Sequence, residues 1–209
     1  MKLYQGWQSS ASWRVRWALA LKRVEVEPVF VDVASGEHFA ALAPVNPMRQ
    51  VPALELDDGR ILTESSAIIE WLDETIPEPP LLPADPLGRA RARQLAQIVN
   101  AGIHPLQNTQ VRLAISSDEA AQRAWCRRWI ERGLAAYDEH VRREPGPFSL
   151  GARITLPDLF LVPQVLNAER FGADVSGCAR VLEIYRACME TEEARRTRPR
   201  PPGSAQPKQ

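Results

Sequence analysis

The chain has 209 residues, which suits one large domain or two small ones. Its 26 Lys and Arg balance its 26 Asp and Glu, so charge gives no reason to expect nucleic acid or an acidic membrane as partner. No apolar run reaches the length of a membrane span, and Met1 is not followed by a signal-peptide pattern. The three scattered cysteines and three histidines lack metal-ligand spacing. We expect a reduced cytoplasmic protein without a metal.

The chain opens with a pattern of strand, serine-rich loop and helix. A short apolar run at residues 2–4 predicts the strand, and the loop contains Ser9 and Ser10. From Ser12 onward apolar residues recur at helical spacing. A helix N-terminus presents unpaired N–H groups and the positive end of the helix dipole, so it stabilises an anion, to which both serine hydroxyls are candidate donors. Serines before a helix also fit an ordinary N-cap, so both interpretations stay open.

The next segments complete a small α/β unit. A β-branched run predicts a second strand, parallel to the first in a βαβ unit. A short helix or turn and a proline-flanked loop follow, and Asp58-Gly59 then predicts a β-hairpin. An amphipathic helix closes the unit. The segments behind these predictions are residues 24–33, 36–42, 46–52, 53–63 and 64–76.

Prolines at 77, 79, 80, 83 and 86 predict an extended linker, after which the pattern becomes helical throughout. Residues 87–115 predict one long helix with a kink at Pro105, and residues 119–141 and 179–189 predict two more. Between these, Thr155 and Asp158 form a capping box that begins an apolar, buried helix ending at Gly172. The predicted division is residues 1–77, linker 78–86, an all-helical domain 87–194 and a disordered tail 195–209.

Five short motifs occur in a fixed order along the chain. They are SSASWRVR at 9–16, NPMRQVP at 46–52, ESSAII at 64–69, GIHPLQN at 102–108 and LVPQVLNAERF at 161–171. Together they resemble the zeta-class glutathione transferases, which include maleylacetoacetate and maleylpyruvate isomerases. One motif alone is weak, whereas five in the correct order over nearly the whole chain are specific.

The resemblance implies a thioredoxin-like α/β domain (βαβ–ββα) followed by an all-α domain, the cytosolic glutathione transferase architecture, in a homodimer. It implies glutathione as cofactor and a dicarboxylate substrate. The implied reaction is glutathione-dependent cis–trans isomerisation of a maleyl-type diketo acid in the breakdown of aromatic compounds. Two positions depart from the family pattern: Ala11 stands where the family usually has Cys, and Gln8 where the isomerases usually have Arg.

The resemblance also assigns the cofactor site. Ser9 or Ser10 would stabilise the glutathione thiolate, and the sequence leaves open which of them does so. Val51 and a cis Pro52 would pair with the cysteinyl backbone, as an added strand does. Beside this reading stand simpler ones: a trans proline at the start of a strand, and a capping pattern for the helix after the hairpin. The remaining cofactor candidates are Glu64 for the ammonium, Ser65 for a carboxylate, Gln50 and His38 for the glycine end, and Gln107 and Asn108.

Substrate candidates come from Gln8 and from the helical domain. His104, Gln107 and Asn108 lie within one turn of each other near Pro105, where a substrate site and a helix–helix hydrogen-bond network fit equally well. Arg170 offers a cationic fork for a carboxylate, or it simply pairs with the helix dipole.

Two other functions remain as alternatives. One is a broad transferase or dehalogenase acting on small electrophiles such as α-haloacids. The other is a glutathione-binding or scaffold protein that has lost activity with Ala11 and Gln8.

Overall fold

The computed structural model describes residues 1–32 and 42–199, and these form two compact units. The first unit comprises the described residues of Met1–Pro79 and those from Glu192 to 199, and the second comprises Pro80–Thr191. Within the described residues, no helix combines the length and the apolar character that a membrane span requires.

In the part of the first unit that the structure describes before Pro79, there is a four-stranded mixed sheet with two helices. The strands lie in the order β2-β1-β3-β4; β1 is parallel to β2 and antiparallel to β3, which is antiparallel to β4. This order confirms the predicted thioredoxin-like βαβ–ββα arrangement. The elements are β1 (Lys2–Gln5), α1 (Ser10–Leu21), β2 (Glu27–Phe30), β3 (Ala53–Glu55), β4 (Ile61–Thr63) and α2 (Ser65–Thr75).

Local chemistry explains the hairpin between β3 and β4. Gly59 has φ of +83°, a conformation that glycine adopts without a steric penalty. The Asp58 carboxylate accepts the backbone N–H of Arg60 at 3.0 Å, which closes the turn. The predicted hairpin is therefore confirmed. The β2 strand is shorter than the predicted segment 24–33, and most of the helix or turn predicted at 36–42 lies outside the described residues.

Helix α1 is buried along most of its length, and it packs against α2 and against the last helix that the structure describes. Trp13, Val15 and Trp17 are fully buried, as expected for its apolar face. Arg14 and Arg16 are buried as well. Buried cations are costly unless they are paired or hydrogen-bonded, so these two arginines need partners inside the first unit.

The second unit is entirely helical in its described elements, as predicted. They are α3 (Pro86–Asn100), a 3₁₀ turn (His104–Gln107), α4 (Thr109–Ile115), α5 (Glu119–Val141), α6 (Leu156–Phe171) and α7 (Ala179–Met189). The single kinked helix predicted over 87–115 is wrong, because the chain leaves the helix after Asn100. At Gly102 a Cβ would lie 2.6 Å from the carbonyl oxygen of Ile98, and Pro105 then lies in the first residues of a tighter turn.

Helix α6 forms the centre of the second unit, where it packs against α3, α5 and α7. Thr155 and Asp158 form the predicted capping box at its start. Gly172, with φ of +68°, ends the helix in the left-handed conformation, also as predicted.

The last helix, α8 (Glu192–Thr197), corrects the prediction of a disordered tail from residue 195. Ala194 and Thr197 are buried, and the Thr197 hydroxyl accepts the indole N–H of Trp13 at 3.0 Å. The polar composition of 195–209 hid this contact, because a short helix can be held by tertiary packing rather than by its own propensity.

Candidate functional site

The serine loop lies at the N-terminus of α1, where the sequence predicted an anion site. Ser9 is the N-cap: its Oγ accepts the backbone N–H of Ser12 at 3.2 Å. In return the Ser12 Oγ accepts the backbone N–H of Gly6 at 3.2 Å, which closes the loop. Ser9 thus does cap the helix, yet its hydroxyl proton is not used in that bond and can be donated to an anion. Ser10 is 7% exposed, whereas Ser9 is half-buried.

Arg16 holds the backbone of this loop. Its guanidinium donates to the Gly6 carbonyl at 3.3 Å, the Trp7 carbonyl at 3.1 Å and the Gln5 side chain at 3.0 Å. It also lies 4.6 Å from the centre of the Trp7 ring. Burial lowers the pKa of Arg16 to about 9, so it stays cationic at neutral pH. The residues that precede Ser9 are therefore fixed by a buried charge of the same helix.

The Val51–Pro52 peptide bond is cis, which confirms the prediction from the resemblance. Val51 precedes Ala53, the first residue of β3 that pairs in the sheet. The loop before it is held by buried Asn46, whose amide donates to the Gln50 carbonyl at 2.8 Å and whose oxygen accepts the Met48 N–H at 2.9 Å. Sequence reasoning missed Asn46, although an Asn-Pro pair is a known turn signal.

Glu64 precedes α2 in an unusual backbone conformation, with φ of 67° and ψ of 117°. For a residue with a side chain this is a strained region, which persists only where the surroundings impose it. Within the described residues, the Glu64 side chain makes no capping hydrogen bond to α2, so the simple capping interpretation fails for Glu64. Its side chain is exposed. The first N–H groups of α2 are therefore not capped by the Glu64 side chain.

Ser65, the first residue of α2, is buried and bound to a residue of α1. Its hydroxyl oxygen accepts one N–H of the Arg14 guanidinium at 3.2 Å. Arg14 is 1% exposed, and desolvation lowers its pKa to about 9 while the negative charge of Glu64 opposes that shift. The structure therefore places Arg14 directly against Ser65, a candidate cofactor residue.

In the second unit, Gln107 and Gln164 form a buried pair. The Gln107 amide nitrogen donates to the Gln164 oxygen at 2.5 Å, and the reverse contact measures 3.5 Å. For Gln107 the structure therefore shows a hydrogen bond between helical segments, which is one of the two interpretations that the sequence left open. Asn108 is the N-cap of α4 and accepts the Gln110 N–H at 3.1 Å, while His104 lies half-buried in the 3₁₀ turn.

Arg170 lies in the last turn of α6 and is exposed. It donates to the Asn167 side chain at 3.4 Å, and partial burial of its guanidinium lowers its pKa. Two further arginines lie close to this end of the helix: Arg123 donates to the Arg170 carbonyl at 3.4 Å, and Arg112 lies 5.5 Å from the Phe171 ring centre. The end of α6 thus concentrates positive charge, which sequence reasoning had assigned to Arg170 alone.

The thiol groups of the chain itself are poorly suited to catalysis. All three cysteines are buried, and desolvation raises the pKa of Cys126, Cys178 and Cys188. Among the described residues, no group of three or more His, Cys, Asp and Glu side chains is arranged to hold a metal ion. A nucleophilic thiol at this site must therefore come from a cofactor.

Of the remaining candidates, Gln8 is half-buried in the loop before Ser9, and Gln50 is half-buried before Val51. His38 lies outside the described residues. Within the first unit the structure brings Ser9 and Ser10 to one helix start, and it joins Ser65 to α1 through Arg14. Within the second unit it joins Gln107 to Gln164 and Arg170 to Asn167.

The fold and this serine-capped helix are those of a glutathione transferase. Residues 3–80 match the family model described as the glutathione S-transferase N-terminal domain. The chain is 43% identical over 206 residues to the maleylpyruvate isomerase of a Ralstonia species, covering 95% of this chain and 97% of that protein.

Two solved structures agree closely with the fold. The holo structure of a maleyl pyruvate isomerase, described as a bacterial glutathione S-transferase of the zeta class, gives a TM-score of 0.92 at 42% identity over 98% of this chain and all of that one (100%). A maleylacetoacetate isomerase from Methylobacterium extorquens AM1, with bound malonate and glutathione, gives a TM-score of 0.92 at 34% identity, covering 99% of this chain and 100% of that one. The chain belongs to the zeta-class glutathione transferases that include the maleylpyruvate and maleylacetoacetate isomerases.

Proposed function

We propose that this protein catalyses the glutathione-dependent cis–trans isomerisation of a maleyl-type diketo acid, such as maleylpyruvate or maleylacetoacetate, in aromatic compound breakdown. The observation that carries the proposal is the serine-capped N-terminus of α1 in a chain whose own cysteines are buried. Such a site stabilises a thiolate that the protein cannot supply itself. Membership of a family of named isomerases supports the same conclusion.

The residues of the first unit fit glutathione by their chemistry. Its γ-glutamyl end carries an ammonium and a carboxylate, which match the exposed carboxylate of Glu64 and the N-terminus of α2 at Ser65. Its cysteinyl backbone suits the edge before β3, at Val51. Its thiolate suits the start of α1, at Ser9 and Ser10. We also keep Gln50, His38, Gln107 and Asn108 as candidates for further contacts to the cofactor.

When bound, glutathione supplies a thiolate that adds reversibly to the conjugated double bond, so that the bond can rotate before elimination restores it. The contribution of Ser9 is a hydroxyl donor that favours the ionised sulfur over the thiol. The start of α1 adds the positive end of a helix dipole. The structure describes this helix in full, and its first turn contains no acidic residue that would compete with the thiolate. Arg170 offers a cationic fork for a substrate carboxylate, with His104, Asn108 and Gln8 as further candidates for substrate contacts.

The test is turnover of maleylacetone with glutathione at a catalytic, substoichiometric concentration. We expect all of the maleylacetone to be isomerised. The reaction is monitored by the loss of the maleyl absorbance, and the free thiol concentration should be unchanged at the end. A parallel assay uses chloroacetate with excess glutathione and follows chloride release and thiol loss.

The same assays decide between the proposal and its alternatives. Turnover of chloroacetate with stoichiometric loss of glutathione, and none of maleylacetone, would replace isomerisation by dehalogenation. Binding of glutathione by calorimetry without turnover of either compound would leave a binding or scaffold protein. Either result overturns the proposed reaction.

We also propose that the chain acts as a homodimer in the cytoplasm, as its family resemblance implies. Sedimentation velocity at micromolar concentration is the measurement for the dimer. A species with the mass of one chain, 23.4 kDa, would contradict it.

A further inference from the structure

A buried cation lies directly behind the proposed carboxylate site of the first unit. Arg14 belongs to α1 and is 1% exposed, and one of its N–H groups reaches the hydroxyl oxygen of Ser65 at 3.2 Å. Ser65 is itself buried, at 4% exposure, and it begins α2. The contact joins residues 51 positions apart in the chain, so it exists only because α1 and α2 pack together.

This contact determines how the Ser65 hydroxyl can be used. A hydroxyl has one proton to donate, and an arginine N–H can only donate. Since the Ser65 oxygen already accepts from Arg14, its own proton must point away from Arg14. A serine fixed in this way can donate to a carboxylate without first giving up another orientation, which lowers the entropic cost of binding.

The positive charge of Arg14 also favours binding of a carboxylate at Ser65. Burial lowers its pKa only to about 9, so the guanidinium is still cationic at neutral pH. Glu64, next to Ser65 in the chain, interacts electrostatically with Arg14 and is exposed. A negative group and a positive group on neighbouring positions complement the ammonium and the carboxylate that share one carbon in the γ-glutamyl group. A ligand carboxylate at Ser65 would also offset part of the desolvation of Arg14.

We propose that Arg14 is a positioning residue for the γ-glutamyl carboxylate of glutathione: it orients the Ser65 hydroxyl as a donor and supplies positive charge behind it. The inference rests on the proposed use of glutathione and goes beyond it, because it assigns a buried α1 residue to recognition of one ligand group. Arg14 itself does not touch the ligand.

The test measures binding of three thiols by calorimetry to the wild type and to Arg14→Gln. The thiols are glutathione, 4-aminobutanoyl-cysteinylglycine, which lacks the α-carboxylate, and glutaryl-cysteinylglycine, which lacks the ammonium. We expect Arg14→Gln to weaken binding of glutathione and of the glutaryl analogue about tenfold, the scale of one charge-assisted hydrogen bond. Binding of the 4-aminobutanoyl analogue should change less than about twofold, because the group that Arg14 serves is missing.

Arg16→Gln is the matched control, since Arg16 is a buried arginine of the same helix that does not contact Ser65 among its described hydrogen bonds. In that variant, any general damage to α1 should weaken the binding of all three thiols equally. Ser65→Ala should reproduce the carboxylate-specific loss, and adding Arg14→Gln to it should cost little more, because both act through one hydroxyl. Arg14→Lys keeps the charge and serves if Arg14→Gln does not fold; the loss should then be smaller but still specific for the carboxylate.

Equal weakening of all three thiols by Arg14→Gln, or additive losses with Ser65→Ala, would overturn the inference and leave Arg14 as a structural tie between α1 and α2. In that case wild-type binding and isomerisation would stand, so the proposed function would survive. If the wild type binds none of the thiols, the proposed function fails, and the inference fails with it.

Discussion

The N-termini of the two central helices, α1 in the first unit and α6 in the second, differ in how they are capped. At the start of α6 the Asp158 carboxyl group accepts the backbone N–H groups of Ser149 at 2.9 Å and Thr155 at 2.8 Å, and the Thr155 hydroxyl at 3.1 Å. At the start of α1 only the Ser9 hydroxyl caps the helix, and the first turn, described in full, has no acidic residue. The protein fills one helix start with its own acid and leaves the other for an anion from outside.

At the C-terminal ends the two helices exchange these roles: the end of α1 is closed by partners within the protein, and the end of α6 is accessible. Lys22, the C-cap of α1, is buried and donates to the Asp73 carboxylate at 2.7 Å and to the Ile76 and Pro79 carbonyls at 2.6 and 2.7 Å. Arg170, in the last turn of α6, is exposed and reaches Asn167 at 3.4 Å. The cation at the end of α1 thus stabilises the first unit, whereas the cation at the end of α6 remains accessible.

The comparison suggests that the accessible ends are the functional ones. A saturated polar group contributes to stability, because removing it leaves its buried partners unpaired. An accessible polar group contributes little to stability and can bind a ligand instead. Substitutions at the four helix ends should therefore separate into two classes, one affecting unfolding and the other affecting catalysis or binding.

The largest effect is expected for Asp158→Ala. The change leaves two buried N–H groups and one buried hydroxyl without their acceptor, each worth about 1–3 kcal/mol, so the free energy of unfolding should fall by about 4 kcal/mol. Urea unfolding followed by circular dichroism measures it.

Asp118→Ala is the control, because Asp118 caps α5 with the same kind of contacts at an exposed position, to Ala120 and Ala121. It should cost about 1 kcal/mol. Equal losses in the two variants would mean that burial of the capping acid has no special weight, and the distinction drawn between α6 and other helix starts would not hold.

The next effect is on the rate. Ser9→Ala should lower isomerase turnover by about two to three orders of magnitude and raise the pKa of the bound thiol, because a donor to a fixed anion is lost. Ser10→Ala should cost less, since Ser10 is buried while Ser9 is half-buried. The measurements are turnover and the pH dependence of thiolate absorbance in the glutathione complex.

Ser12→Ala serves as the control for loop damage, since the Ser12 hydroxyl accepts the Gly6 N–H and closes the same loop. Its rate loss should be less than about tenfold if it only affects the loop. If Ser9→Ala, Ser10→Ala and the double change all leave turnover intact, the serine loop is a helix cap and nothing more.

The smallest effect concerns Arg170. Arg170→Leu should weaken binding of a dicarboxylate substrate by about 1–3 kcal/mol, the scale of a hydrogen bond to a charged group, and leave stability and glutathione affinity nearly unchanged. Steady-state kinetics gives the substrate effect, and calorimetry gives the glutathione affinity.

Arg123→Leu removes a neighbouring positive charge and controls for general electrostatics, because Arg123 contacts only the backbone of Arg170 among its described hydrogen bonds. Equal effects of the two leucine variants on the substrate would assign the attraction to net charge. A parallel loss of glutathione and substrate binding in Arg170→Leu would make Arg170 a residue of the fold.

Much of the fold could be read from short stretches of sequence. The hairpin at Asp58-Gly59, the capping box of Thr155 and Asp158, and the end of α6 at Gly172 depend on residues a few positions apart, so local chemistry fixes them. The cis bond before Pro52 came from the family resemblance, and so did the assignment of the serine loop. These predictions were confirmed where the structure tests them; the roles of Ser9 and Ser10 remain predictions.

Other features depended on how the elements pack. The long helix predicted over 87–115 breaks after Asn100, because a close approach at Gly102 and the turn at Pro105 outweigh helical periodicity. The backbone strain at Glu64 and the helix at Glu192–Thr197 are set by neighbours that the local sequence does not reveal.

The sequence by itself determined the order of the elements, their turns and caps, and which stretch would present serines at a helix start. Only the tertiary structure decided the partners of the buried charged and polar side chains. Arg14 meets Ser65 and Lys22 meets Asp73 across 51 positions each, and Gln107 meets Gln164 across 57. The physical reason is range: a cap or turn is satisfied by atoms a few residues away, whereas a buried charge is satisfied by whichever distant element packs against it.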